Sequence, residues 1–160
     1  MRISLIDVGR KIAPRALQKL ERHLGYSLPA DYKDFLCEYN GGQPGENAPC
    51  RFWVQKDSGW QESVEFFYGV AFTKQHGYLP FVWHRDFDYM PRQLFPIART
   101  RSGEPLYLGL SEGLSGRVFF SSSIRVPSAV TPMSTDAEIL ADKGAIEVAG
   151  SFREFLDNLF

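Results

Sequence analysis

Apolar side chains recur at helical spacing in the first part of the chain and predict two neighbouring helices. The first helix begins near Pro14, a residue that suits the first turn of a helix. Leu17, Leu20 and Leu24 then fall on one face, and Gly25 ends the pattern. The charged residues between these leucines are assigned to the solvent side, so this helix is expected to pack through its leucine stripe.

The second helix lies in the stretch LPADYKDFLCEYNGG. Pro29 stands at its start, and Asp31 lies in the first turn, where a negative charge suits the helix dipole. Asn40 and Gly41 favour the left-handed conformation that ends a helix, and Gly42 lets the chain turn away. The core stripe has the i, i+3, i+4, i+7 spacing and consists of Tyr32, Phe35, Leu36 and Tyr39.

Beyond a loop rich in glycine, proline and asparagine, the pattern changes to the aromatic and β-branched content of strands. CRFWVQ and SVEFFYGV predict early strands. LFPIART, PLYLGL and RVFFSS, separated by glycine-containing breaks, predict a three-stranded antiparallel meander. LPFVWHRDFDYM is ambiguous, and we expect a short helix or an irregular segment that ends before Pro91.

The last part of the chain predicts a loop and two helices. The prolines and hydroxyl residues of RVPSAVTPMST indicate a loop, and Thr135 with Glu138 favours a short helix ending at Gly144. Ser151 and Glu154 predict a capping box for a closing helix. The core stripe of that helix consists of Phe152, Phe155, Leu156 and Leu159.

The order of these elements shows no regular βαβ alternation. We therefore expect an α+β fold, with N-terminal helices and a C-terminal helix packed on an antiparallel-dominated sheet that contains the central meander. The length of 160 residues favours a single domain, residues 1–160. The apolar share of 44%, with 14% aromatic residues, excludes a disordered chain.

Charge and targeting signals narrow the classes of partner. The net charge of −1 gives no electrostatic case for direct contact with nucleic acid or with an anionic membrane. No apolar run approaches the roughly 20 residues needed to cross a bilayer. The segment MRISLIDVGRKIAPR is a poor secretory signal, so we expect a cytoplasmic protein. Cys37 and Cys50 are interpreted as reduced, packed thiols.

The landmarks of the chain, taken in order, resemble the SUKH superfamily. LPADYKDFLCEYNGG is similar to its signature helix, with matches at Leu28, Pro29, Asp31, Tyr32, Phe35, Leu36, Asn40, Gly41 and Gly42. Phe67–Gly69 is similar to the aromatic-glycine element that follows the early strands of the superfamily. The central meander and the closing helix are similar to the later parts, so the resemblance runs from about Leu17 to Leu159.

This resemblance implies binding rather than catalysis. Many bacterial SUKH proteins are immunity proteins that bind and neutralise a cognate toxin domain, often a nuclease. Fungal relatives are regulators of cell-wall synthesis that act as interaction hubs. The resemblance therefore implies a protein partner, no enzyme activity and no cofactor, and we expect a monomer or a homodimer.

Several residue patterns suggest chemistry but lack the residues that this chemistry requires. His84-Arg85-Asp86 has the same three residue types as the catalytic triplet of protein kinases. Pro91, however, stands where a metal-binding asparagine is needed. His84, Asp86 and Asp88 alternate as metal ligands would on a strand, but no second histidine is near, so we expect no metal site. GLSEGLSG has the wrong spacing for a phosphate loop and predicts a turn.

The candidate partner-binding residues cluster around one tryptophan. Trp60 lies in the polar segment KDSGWQES, and exposed aromatic residues are typical anchors at interfaces. Trp60 packing beneath its own loop is the alternative. The acidic candidates that would face a basic partner are Asp57, Glu62, Glu65, Asp86 and Asp88. Ordinary solvated charge is the alternative interpretation for these carboxylates.

Overall fold

The computed structural model describes residues 3–71, 81–83, 91–122 and 134–160. The helices within these ranges are α1 (Pro14–Leu24), α2 (Ala30–Glu38), α3 (Asp136–Asp142) and α4 (Phe152–Asp157). The strands are β1 (Leu5–Ile6), β2 (Gln43–Pro44), β3 (Arg51–Gln55), β4 (Trp60–Phe67), β5 (Gly69–Ala71), β6 (Phe81–Trp83), β7 (Leu94–Thr100), β8 (Pro105–Gly109), β9 (Val118–Ser121) and β10 (Ala145–Ala149). The fold class is α+β.

Six strands form one antiparallel sheet in the order β10-β9-β8-β7-β4-β3. The predicted meander is its centre, β7-β8-β9. The two outer strands, β3 and β10, lie close to each other, so the sheet curls toward a barrel. Phe160 extends this closure, because its backbone N–H donates to the Arg51 carbonyl (3.0 Å) and its carbonyl accepts from the Arg51 N–H (2.9 Å).

The main core lies between the inner face of the sheet and three helices, α1, α2 and α4. Alternate residues of β8 separate the two faces: Leu106 and Leu108 enter the main core, whereas Tyr107 lies on the other side. The leucine stripe of α1 is buried as predicted. All but one residue of the α2 stripe are also buried, and Tyr39 is half-buried.

Aromatic contacts between the two ends of the chain hold this core together. The ring centroid of Phe152 in α4 lies 4.9 Å from that of Tyr32 and 5.1 Å from that of Phe35, both in α2. Phe35 also contacts Phe67 of β4, at 5.3 Å. Edge-to-face and tilted pairs of this kind stabilise by about 0.5–1.5 kcal/mol beyond the area that they bury. The two ends of the chain therefore pack against the same strand.

A smaller cluster covers part of the outer face. Leu94, Tyr107 and Phe119 of the meander pack there against Ile139 of α3 and Leu114 of the β8–β9 turn. Burial raises the pKa of the Tyr107 hydroxyl to about 12. The outer face of the meander is therefore apolar and covered where α3 crosses it.

The caps of the helices are mostly those that the sequence predicts. Gly25 ends α1 with φ = 77°, and Thr135 with Glu138 forms a full capping box on α3. For α4 the predicted box is half confirmed: the Ser151 hydroxyl accepts from the Glu154 N–H (3.1 Å). Its other half is wrong, because the Glu154 carboxylate accepts from the Gly150 N–H (2.9 Å).

Four short strands depart from the sequence expectation, among them β1 and β2, which pair with each other and to which no strand was assigned. In LPFVWHRDFDYM we expected a short helix or an irregular segment. That expectation is wrong at Phe81–Trp83, which form β6 and pair in parallel with β5. Ala145–Ala149, to which the sequence assigned no strand, is β10 and pairs with β9. Partners distant in sequence, β5 for one segment and β9 for the other, set the conformation of these two segments. The predicted loop RVPSAVTPMST lies, through Met133, outside the described residues.

Within the described part of the chain, no helix has both the length and the apolar content that crossing a bilayer requires.

Candidate functional site

The Asn-Gly-Gly motif after α2 joins three parts of the fold. Asn40 is buried and has φ = 50°. Its side-chain amide donates to the carbonyls of Arg10 (2.8 Å) and Val70 (3.3 Å), and its oxygen accepts from the Val70 N–H (2.7 Å). One side chain therefore ties the end of α2 to the N-terminal segment and to β5. Buried polar groups need such partners, so this asparagine has a structural role.

Gly41 and Gly42 allow the same junction to close. Gly41 has φ = 86°, and a Cβ there would lie 2.5 Å from the backbone N of Gly69 and 2.8 Å from the carbonyl O of Phe67. Gly42 exchanges two backbone hydrogen bonds with Phe67, at 3.1 and 2.8 Å. Side chains are excluded here by the backbone of the neighbouring strand, so the motif is a packing feature.

The acidic residue and the tyrosine of the signature helix also act within the scaffold. The Asp31 carboxylate accepts from the Arg153 N–H (2.8 Å) and so caps the first turn of α4. Tyr32 is completely buried, and its hydroxyl has no hydrogen-bond partner among the described residues. Burial raises the pKa of this hydroxyl far above its usual range, so the phenol stays neutral.

The predicted partner-binding residues Asp57, Trp60 and Glu62 lie together on the β3–β4 hairpin. Asp57 is exposed in the turn, and Trp60 is the first residue of β4. The Trp60 ring is half-buried and stands edge-on to Phe120, with centroids 5.5 Å apart. The Glu62 carboxylate accepts from the Ser102 hydroxyl (2.9 Å). The Trp60 ring thus packs against the main core and is only partly exposed, with Asp57 and Glu62 near it in sequence.

Glu65 is separated from these three residues. A bulge between Val64 and Phe66 interrupts the pairing of β4 with β7, and Val64 points into the core. Glu65 follows Val64 and points away from the core, where its carboxylate lies 3.6 Å from Nε of Arg99. Asp86 and Asp88, the other acidic candidates, lie outside the described residues together with His84.

The titratable groups of the described residues form no recognisable catalytic or metal site. In residues 3–71, 81–83, 91–122 and 134–160, no three histidine, cysteine or acidic side chains come together as metal ligands would. Cys37 and Cys50 are free and half-buried, so they are less deeply packed than expected. Burial, assisted by the charge of Asp34, raises the pKa of the Cys37 thiol, which disfavours a reactive thiolate.

A basic groove along α1 is a feature that the sequence analysis did not single out. Arg15, Lys19 and Arg22 line it, together with Gln18 and Tyr26, and its volume is about 1030 Å³. The three basic side chains are exposed and follow the i, i+4, i+7 spacing of one helix face. That spacing was readable in the sequence, but the groove beside it was not.

The fold defines an α+β scaffold whose signature motif serves packing. The chain belongs to the SMI1 / KNR4 family (SUKH-1), which it matches over residues 11–158. It is also similar to the SPbeta prophage-derived uncharacterized protein YokK of Bacillus subtilis (strain 168), with 28% identity over 96% of this chain and 79% of the relative. No solved structure shows significant similarity to the chain.

Proposed function

We propose that this protein is a cytoplasmic bacterial immunity protein that binds a cognate toxin domain and neutralises it by occlusion, without catalysis and without a cofactor. The observation that carries this proposal is the match to the SMI1 / KNR4 family over residues 11–158, since immunity is a role that the family resemblance implies. The prophage origin of the YokK relative adds a bacterial setting.

The way in which the signature residues are used supports a binding role. Asp31, Asn40 and Gly41 are engaged with backbone groups of the protein itself. They are therefore not available to a substrate. A scaffold fixed in this way can vary its exposed side chains without changing its core, which is what recognition of a particular partner requires.

We propose the β3–β4 hairpin as the surface that meets the toxin domain. Trp60 supplies a large aromatic group whose position is fixed by Phe120, so little side-chain entropy is lost on binding. Asp57 and Glu62 on either side suit a basic partner, such as the substrate groove of a nuclease. Glu65, on the opposite face and close to Arg99, contributes less to this surface.

The test uses the product of the gene adjacent to this one, taken as the toxin. Co-expression is expected to restore the growth of cells that produce the toxin domain, and a pull-down is expected to recover the complex. The double variant Asp57→Arg/Glu62→Arg should weaken binding by about tenfold or more, because both charges then repel a basic partner. The matched control is Glu112→Arg/Asp157→Arg, which reverses two exposed carboxylates elsewhere and should bind as the wild type does.

An adjacent gene product that neither binds nor harms cells would contradict the immunity proposal. Binding without any toxicity would favour the second candidate, a regulatory interaction module similar to the fungal relatives. Equal loss of binding in both double variants would remove the hairpin from the proposal but leave immunity in place.

A further inference from the structure

The basic groove along α1 has properties that a solvated helix face does not share. Arg15, Lys19 and Arg22 are exposed, and none of them is paired with a carboxylate among the described residues. The Nε–H of Arg22 donates to the Gln18 carbonyl (3.3 Å), which orients its guanidinium along the helix. Three positively charged side chains therefore line an open groove of about 1030 Å³.

The single acidic residue that lines the groove is already engaged. The Glu21 carboxylate accepts from the Leu28 N–H (2.8 Å) and lies 3.1 Å from Nζ of Lys33. Its charge is therefore compensated by groups that do not line the groove. A negative ligand that enters the groove meets the field of the basic side chains with little opposition.

The start of α1 adds to this field. The helix has no side-chain cap at Ala13 and no acidic residue in its first turn. Arg15 lies in that turn, where the positive end of the helix dipole disfavours a cation. A carboxylate placed beside Arg15 would stabilise the uncapped start of α1 and would also offset the charge of Arg15.

We propose that this groove binds an acidic segment of a partner protein. The basic side chains span seven residues of helix, about 10 Å, so they match two or three carboxylates about 5–6 Å apart. The inference goes beyond the proposed function and rests on it only in taking the partner to be a protein. It assigns that partner an acidic segment in addition to the basic surface that would meet the hairpin.

A polynucleotide fits this groove less well than a short acidic segment. A crevice of about 260 Å³ between α1 and α2 adjoins the groove through Gln18 and Glu21, and both Lys33 and Asp34 line it. Because Lys33 is paired with Glu21, the charge of Asp34 remains there. A regular phosphate backbone that continues beyond the groove on this side meets that negative charge, whereas a short run of carboxylates ends before it. The net charge of −1 also gives the chain no general attraction for polyanions.

The experiment measures fluorescence anisotropy of two labelled probes at low salt, a decaglutamate peptide and a ten-nucleotide oligothymidylate. The wild-type chain should bind the peptide more tightly than the oligonucleotide. The variant Arg15→Glu/Lys19→Glu/Arg22→Glu should bind the peptide at least about tenfold more weakly, because three exposed ion pairs are lost. Replacing Arg15 by an acid suits the first turn of α1, so the variant is expected to fold, and circular dichroism checks this.

The matched control is Lys56→Glu/Arg92→Glu/Arg101→Glu, which makes the same change in net charge at three exposed positions outside the groove. It should retain the wild-type affinity for the peptide. Equal loss in both triple variants, or no binding of the peptide, would overturn the inference. Oligothymidylate binding as tight as that of the peptide would overturn it in favour of a nucleic acid. The assay contains no toxin, so none of these outcomes bears on the immunity proposal.

Discussion

At the scale of single residues, the side chain that defines the signature helix most clearly, Tyr32, buries a hydroxyl without a hydrogen-bond partner among the described residues. Its ring contacts Phe35, Phe95 and Phe152, so the position selects for an aromatic group. An unpaired buried hydroxyl costs about 1–3 kcal/mol. The ring therefore stabilises the fold, and the hydroxyl opposes it.

We expect Tyr32→Phe to leave the free energy of unfolding unchanged or to raise it by up to about 1 kcal/mol, because it removes only the desolvated oxygen. Urea denaturation followed by circular dichroism measures the change. The companion variant Tyr32→Ala also removes the ring and should lose about 3–5 kcal/mol. A loss of more than about 1 kcal/mol in Tyr32→Phe would show that the hydroxyl is hydrogen-bonded in solution.

The same hydroxyl gives the stability a pH dependence of known sign. Burial raises the pKa of Tyr32, so the folded chain keeps the phenol proton that the unfolded chain releases near its ordinary value of 10. The unfolded state then binds fewer protons, and stability falls as the pH rises above 10. Repeating the denaturation at alkaline pH should show a smaller fall for Tyr32→Phe than for the wild type.

At the scale of elements, the end of α2 is the junction on which the arrangement of helices and strands depends. Asn40 reaches the N-terminal segment and β5, and Gly42 pairs with Phe67 of β4. Between them, Gly41 approaches the backbone of Gly69 so closely that no side chain fits. The short distance between backbones explains why glycine, and not merely a turn-forming residue, occupies the position.

Gly41→Ala should lower the free energy of unfolding by about 3 kcal/mol or more, because a Cβ 2.5 Å from the Gly69 N forces the two backbones apart and φ is 86°. Gly25→Ala is the matched control. Gly25 has a similar φ of 77° but nothing within 4 Å of the added carbon, so only the left-handed penalty of about 1–2 kcal/mol applies. Equal losses in the two variants, measured by urea denaturation, would mean that the close approach at Gly41 has no cost.

The elements also show which parts of the structure the sequence could predict. α1 ends at Gly25 and α4 begins at Ser151. The conformations of these two residues are decided within one turn, and the sequence predicted both boundaries. Strands β6 and β10 owe their conformation to pairing with β5 and β9, which lie elsewhere in the chain. Pairing between distant segments leaves no local signal, so these strands were missed.

The candidate surfaces could likewise be predicted from the sequence only in part. Trp60 among acidic residues was visible as a pattern, but the packing of its ring against Phe120 of β9 depends on how the sheet curls and could not be read from the sequence. The spacing of Arg15, Lys19 and Arg22 was also visible. That Glu21 is compensated by Lys33 and the Leu28 N–H became apparent only when α1 and α2 were placed side by side.

At the scale of the whole molecule, the two ends of the chain meet on one face of the sheet. Phe152 near the end of the chain contacts Tyr32 and Phe35 near its beginning, and all three lie in the core that also holds Phe67. Because these contacts join α2, α4 and β4, neither helix can unfold without exposing the apolar side chains of the other two elements. We therefore expect cooperative unfolding.

Phe152→Ala should lower the free energy of unfolding by about 3–5 kcal/mol while leaving a single transition, because it opens a cavity where the three elements meet. Urea denaturation followed by both circular dichroism and tryptophan fluorescence checks this, since coincident curves indicate one transition. Phe160→Ala removes a ring of the same size that is 39% exposed and contacts Trp53 and Arg51, so it should lose less, about 1–2 kcal/mol. Separate transitions for the two probes would contradict the expected cooperativity.

The curl of the six-stranded sheet limits how another protein can attach to it. β3 and β10 face each other, and Phe160 occupies the backbone groups of Arg51 at the start of β3. A peptide of a partner protein therefore cannot readily extend the sheet along β3 there, so the binding that we propose would depend on side chains. Main-chain pairing is tolerant of sequence, whereas side-chain contacts are not. For the immunity function that we propose, surface substitutions would thus change the choice of toxin while the framework beneath them stays the same.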